Sequence, residues 1–71
     1  MKDVTYEIIE HYGVYEEYGG GWKGEVNLVS WNEKDPKVDI RNWSKDHSKC
    51  SKIGTLSLEA ARMLGEILIR I

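Results

Sequence analysis

A chain of 71 residues makes one small domain, which buries only about 60% of the surface that its unfolded form exposes. Its balance of 41% hydrophobic and 31% charged residues is that of an ordinary globular protein. No run approaches the ~20 apolar residues of a membrane span, and a single cysteine, Cys50, excludes an internal disulfide framework and any zinc site built on paired thiolates. The net charge of −2 hides an asymmetry: residues 1–33 hold two basic and seven acidic side chains, whereas residues 34–71 hold eight basic and five acidic. Six of those eight lie between Lys34 and Lys52. A locally basic segment in an acidic chain points toward a polyanion, against the plainer reading of a solvated polar face. The start, Met1-Lys2-Asp3-Val4, has no apolar core of the kind a secretory leader needs. The expected setting is therefore the cytoplasm.

Taken in chain order, Thr5 to Tyr15 is rich in Tyr, Ile and Val and reads as a strand, with Gly13 marking a bulge or bend. Glu16 to Gly21 ends in three consecutive glycines and reads as a flexible hairpin connection. No Lys-Ser/Thr pair or helix follows, so it is not a phosphate cradle. Trp22 to Asn32 alternates, as a two-faced strand does. Val26 and Leu28 lie on one face; Lys23, Glu25, Asn27, Val29 and Trp31 lie on the other. Glu33-Lys34-Asp35-Pro36 reads as a turn. Lys37 to Trp43 alternates again, with Val38 and Ile40 opposed to Lys37, Asp39, Arg41 and Trp43. Ser44 to Ser51 is polar without period and reads as a loop, and Ile53 to Leu56 as a short fourth strand. Ser57 is a good N-cap, and Glu59 suits the first turn of the helix that follows to the end. Ala60, Leu64, Ile67, Leu68 and Ile71 form an apolar stripe that Leu58, Ala61, Met63 and Ile69 widen. Gly65 suggests close approach by another backbone.

The expected fold is α+β, a single domain over residues 1–71. A four-stranded antiparallel meander precedes one C-terminal helix (ββββα). One sheet face is buried under the helix and the other is wet. A helix apolar on most sides needs more cover than one sheet provides. A second copy supplies it most simply, giving a homodimer held by Met63, Leu64, Ile67, Leu68 and Ile71. The wet face carries Lys23, Asn27, Trp31, Lys37, Arg41 and Trp43. Indole planes beside Lys and Arg match single-stranded nucleic acid, where bases stack and cations track phosphates. Asn27 and Asn32 could hydrogen-bond base edges, and Asp39 would orient Arg41 or Lys37. The alternative is that Trp31 and Trp43 cap the core edge or lie in a dimer seam.

A resemblance bears on that choice. Gly21-Trp22-Lys23, Glu25, Asn27, Val29-Ser30-Trp31-Asn32, Pro36 to Ser44 and Asp46-His47 are similar in order and spacing to the positive cofactor four family of transcriptional coactivators. The similarity is greatest to the family's small bacterial members, and Lys52-Ile53-Gly54-Thr55-Leu56-Ser57 resembles the family's strand entering its helix. Ile53 and Gly54 stand in exchanged order. The basic, serine-rich arm of some eukaryotic relatives is absent. The resemblance implies a helix-mediated homodimer of curved sheets that binds single-stranded DNA with little sequence preference. The implied work is transcription regulation, replication or repair, and the implied location the nucleoid. It assigns base stacking to Trp31, the binding strand to Lys37, Arg41 and Trp43, and a basic position to Lys52; Lys23 and Asn27 join through their shared face. No cofactor, metal or small-molecule substrate is implied.

Two other chemistries are less well supported by the residues. His11, Asp46, His47 and Cys50 fall short of a four-ligand zinc site, and nothing marks the orienting group or oxyanion site that Cys–His catalysis needs. The chain is therefore expected not to be an enzyme. The rival from another class is a homodimeric interaction module binding an acidic or extended peptide.

Overall fold

The computed structural model describes residues 5–71. The reading of Met1 to Val4 lies outside the described residues. Strands β1 (Tyr6–Glu17), β2 (Lys23–Trp31), β3 (Lys37–Trp43) and β4 (Cys50–Leu56) precede helix α1 (Leu58–Ile69). The strands form one antiparallel sheet in the order β1-β2-β3-β4. The expected ββββα meander is what the chain builds.

Strand β1 runs two residues further than its composition suggests, because it is bulged three times. Its register against β2 shifts between Ile8 and Glu10, between His11 and Gly13, and between Val14 and Glu16. Each shift inserts one residue, so Ile9, Tyr12 and Tyr15 recur at a spacing of three, all exposed. Bulges increase twist and bend a strand. Three in twelve residues curl β1 around its neighbour. Gly24 on β2 lies under the Tyr15 ring: a Cβ there would sit 2.6 Å from Tyr15 Cζ, which only glycine avoids.

The connections follow local chemistry. Gly19–Gly21 forms a short 3-10 turn in which Gly20 and Gly21 take φ of 73° and 83°, the left-handed region that glycine enters freely. Between β2 and β3, Asn32 (φ 51°) and Glu33 (φ 63°) are both left-handed. The Lys34 amide donates to the Trp31 carbonyl at 2.9 Å. Two left-handed central residues make a type I′ turn, whose twist matches the flanking strands. Strand β4 begins at Cys50 rather than Ile53. Lys52 and Ser51 pair with Arg41 and Asn42, and a register shift at Ile53 hides the alternation that would have marked a strand. Ser57 caps α1, its hydroxyl accepting from the Ala60 amide at 3.1 Å. Among the described residues no helix is long and apolar enough to cross a membrane.

Burial reverses one expectation. The Val26–Leu28 face was to be the core and the odd-numbered face wet. Yet Val29, Asn27 and Asp39 are 0% exposed, Trp43 2% and Glu25 6%, and all five stand on the odd-numbered face. On the other face only Gly24 and Val38 reach that class, while Val26, Leu28 and Ile40 stay half-buried. No residue of α1 is buried, and its contacts with the sheet run mainly to β3 and β4. The physical reason is curvature. Side chains on the inside of a curled sheet converge and bury one another, while those outside splay apart and depend on a covering layer. We call these faces concave and convex.

Candidate nucleic-acid interface

The register places Lys23, Glu25, Asn27, Val29 and Trp31 of β2 beside Lys37, Asp39, Arg41 and Trp43 of β3 on the concave face, with Lys52 and Thr55 joining from β4. Three carboxyl and amide groups at its floor hold the rest in position. Asp39 accepts from Arg41 Nε at 2.8 Å, from the Trp31 indole N–H at 3.2 Å and from the Thr55 hydroxyl at 3.2 Å. A buried carboxylate with a cation and two further donors has its lone pairs engaged. Asp39 thereby fixes both functional side chains at once, and the Arg41 guanidinium carbon lies 4.3 Å from the centre of the Trp31 ring. This is cation–π geometry.

Glu25 organises the neighbouring half of the floor. Its carboxylate lies 3.1 Å from His47 Nε2 and accepts from Asn27 Nδ2 at 3.2 Å. Asn27 Oδ1 in turn lies 2.6 Å from His11 Nδ1. An aromatic row crosses above. Tyr6 is 5.2 Å from Trp31 and 5.5 Å from Trp43, and Trp43 is 5.0 Å from the His47 ring, all tilted pairs. His47 takes part because its loop folds back over Trp43. The loop is closed by Ser44 and Lys49 and by Asp46, which accepts from the Ser44 hydroxyl and the Ser48 amide, each at 3.0 Å. Hydrogen bonds from Ser48 first, then from Ser44, lower the Asp46 pKa to about 2.

Two open depressions meet at the Trp31–Arg41 pair. One, of about 410 Å³, is lined by Lys34, Lys37, Lys52, Thr55 and a single carboxylate, Asp35, with that pair. The other, of about 440 Å³, is lined by Tyr6, Trp43, His47, Ser48 and Cys50 with the same pair. One side is cationic and the other aromatic.

Of the expected binding residues, the structure brings Trp31, Lys37, Arg41 and Lys52 together at a surface. Lys23 is exposed on the same face, paired with Trp43 in the register. Asn32 is exposed, with its Oδ1 accepting from the Thr5 amide at 3.1 Å, so it braces the start of the described chain against the turn. Two residues are corrected. Asn27 is wholly buried and its amide is committed to Glu25 and His11, so it presents nothing to a base edge. Trp43 is core, enclosed by Tyr6 and His47, and offers no open stacking face in this arrangement. Asn27 is buried at the middle of the face, whereas Trp43, the last residue of β3, is covered by Tyr6 and by the loop that carries His47. His11, Asp46, His47 and Cys50 are not gathered on one another: His47 and His11 approach Glu25 at 3.1 and 3.9 Å, Asp46 is bound within its own loop, and Cys50 lies 3.5 Å from Arg41 Nη1. Among the described residues no group of three His, Cys, Asp or Glu side chains is arranged to hold a metal.

Sequence reasoning missed Tyr6, which joins the two tryptophans. It also missed Trp22, which shares a depression with Lys45 and Lys49. The alternation of β1 could not have placed Tyr6, because the bulges break its phase. Trp22 was legible as an aromatic beside a basic loop only once the fold joined residues more than twenty positions apart.

No protein-family model matches the chain. It is similar to an uncharacterized protein of Treponema pallidum (strain Nichols), 42% identical over 55 residues that make up 78% of this chain and 65% of that protein. The chain thus spans a little under two thirds of that relative's length. The likeness carries no activity with it, so function rests on the geometry.

Proposed function

We propose that the protein binds single-stranded DNA with little sequence preference along its concave face, in the manner of the positive cofactor four coactivators that its motifs resemble. The observation that carries this reading is the Trp31–Arg41 pair, fixed by Asp39 between a cationic and an aromatic depression. A single strand offers phosphates and base planes a few ångströms apart, and this surface offers their complements at that separation. Phosphates run along Lys37, Arg41 and Lys52, with Lys23 extending the track. Bases stack on Trp31 and on the guanidinium beside it, each stacked base contributing about 1–3 kcal/mol. A duplex hides its base planes and binds more weakly. Such a protein would hold melted DNA open in transcription, replication or repair.

The reading includes a homodimer. Met63, Ile67, Leu68, Ile69 and Ile71 are all more than half exposed, and among the described residues nothing beyond the helix's own neighbouring backbone lies within 4 Å of where a Gly65 side chain would begin. Small domains rarely leave so large an apolar surface in water. A second copy of the helix covers it and sets two concave faces in one particle.

The test is a tryptophan-fluorescence titration with oligothymidine of about twenty nucleotides, long enough for one site of this size, against the matching duplex at two salt concentrations. Quenching by the single strand, weakened by salt, is expected. The slope should be near −0.7 per phosphate neutralised. A response to neither form, from folded protein, would overturn the reading and leave peptide recognition as the leading function.

A further inference from the structure

Trp43 was expected to stack on bases, and it is instead 2% exposed. What covers it is informative. The His47 ring lies 5.0 Å from the indole, at a tilt of 41°, on a loop residue held in the left-handed region at φ 61°. A planar heteroaromatic ring in tilted contact with the indole covers surface on which a nucleobase could stack. Its tether is one contact: Nε2 lies 3.1 Å from the Glu25 carboxylate, and the His47 side chain itself is 41% exposed. The cavity it borders, of about 440 Å³, is roomier than a base requires and already contains Tyr6, Trp31 and Arg41. Among the described residues the buried indole N–H of Trp43 has no acceptor. Buried donors in native proteins are nearly always paired, so an orphan of this kind calls for an explanation.

We infer that Trp43 underlies a second nucleobase subsite, occupied in the free protein by the His47 imidazole, which an incoming base displaces. This deepens the proposed single-strand reading and rests on it. Displacement breaks the Glu25–His47 contact and swings the ring outward on its exposed loop, where it is free to meet phosphate. The entering base regains the stacking surface that the imidazole leaves. The cost of displacement is built into the affinity of the wild-type protein, and a variant without the ring escapes it.

The decisive experiment follows the His47 ring protons of the intact protein by NMR while oligothymidine is added. Stacked on Trp43, they are expected to resonate away from free imidazole and to move toward it as the strand binds. In parallel, His47→Ala should bind the oligomer about three- to tenfold more tightly than wild type, the equivalent of one released contact. It should also show deeper tryptophan quenching. Glu25→Gln, which keeps the ring and weakens its tether, guards against a folding defect in His47→Ala and should show the ring signals already shifted without DNA. Oligomer binding with unmoved His47 signals would overturn the inference while leaving the single-strand reading intact. Weaker binding by a folded His47→Ala would do the same, making His47 a direct contact. No binding by wild-type protein would remove both.

Discussion

The two faces of the one sheet were built from similar alternation and serve opposite ends. On the concave side, polar and aromatic groups bury one another: Asp39, Glu25 and Asn27 form the floor, and Trp31, Arg41 and the lysines form the rim. On the convex side stand Val26, Leu28 and Ile40, half-covered, with Glu7, Glu10 and Glu16 brought there by their pairing with Ser30, Leu28 and Gly24. The register leaves no lysine or arginine among the paired convex residues of the four strands. Curvature thus sorts charge as well as burial. The strip is cationic by local excess: Lys34, Lys37 and Lys52 outnumber Asp35 around the Trp31–Arg41 pair, where Arg41 offsets Asp39, while Glu7, Glu10 and Glu16 stand on the other face. The contrast teaches that the buried face of a curved sheet need not be the apolar one. Convergence of side chains buries polar groups that satisfy each other, whereas an apolar face without a lid stays half-wet.

The comparison breaks most sharply at Asp39. Asp39→Ala leaves Arg41, the Trp31 N–H and Thr55 without their shared acceptor and should cost about 3–5 kcal/mol of stability. Urea denaturation measures it, and a loss under 1 kcal/mol would mean the concave floor is not the core. Next in size is the rim. Trp31→Ala should weaken single-strand binding by about 1–3 kcal/mol with folding retained. Arg41→Ala leaves the buried Asp39 carboxylate without its cation and should lower stability as well. In the folded protein it should cost more binding than Lys37→Ala, since a guanidinium both pairs and stacks. Equal affinities in the fluorescence titration would show that the strand runs elsewhere.

The convex side and the helix are tested by assembly. Leu68→Glu places a charge on the uncovered apolar surface of α1 and should convert a dimer to monomer by light scattering at micromolar concentration. A monomeric wild-type protein would remove the dimer from the reading. Glu10→Gln, on the convex face and away from buried networks, should change stability by no more than about 0.5 kcal/mol and oligomer binding hardly at all. A large change there would mean the faces are not separate in function.

The smallest effect concerns the loop that carries His47. The Asp46 pKa is lowered to about 2, chiefly by Ser48 and then by Ser44. A depressed carboxylate stabilises the folded loop fully above its unfolded value near 3.8, and the contribution is lost as pH falls through about 2. An NMR titration of the Asp46 carboxyl should give that low midpoint, and loop signals should broaden or shift only below pH 4. A midpoint at the ordinary value would show that the Ser44–Asp46–Ser48 bonds do not persist in solution.

The alternation of β2 and β3, the turn at the glycine triplet and the capping of α1 by Ser57 were all legible from residue order; the turn between β2 and β3 reads from residue order as Glu33–Pro36, whereas its left-handed centre is Asn32-Glu33. Each depends on interactions within a few positions, and period two assigns faces without any knowledge of what covers them. The grouping of Trp31, Lys37, Arg41 and Trp43 on one face followed from the same rule. What residue order did not decide was which face closes. That depends on curvature, which the three bulges of β1 and the shift at Ile53 impose, and a bulge erases the periodicity by which a strand is read. Only the assembled sheet moved Asn27 and Trp43 from surface to floor, brought Tyr6 and His47 onto Trp43, and set Asp39 beneath Arg41 and Trp31 at once. Local sequence fixes a side chain's direction, whereas its exposure depends on how distant strands and loops converge around it.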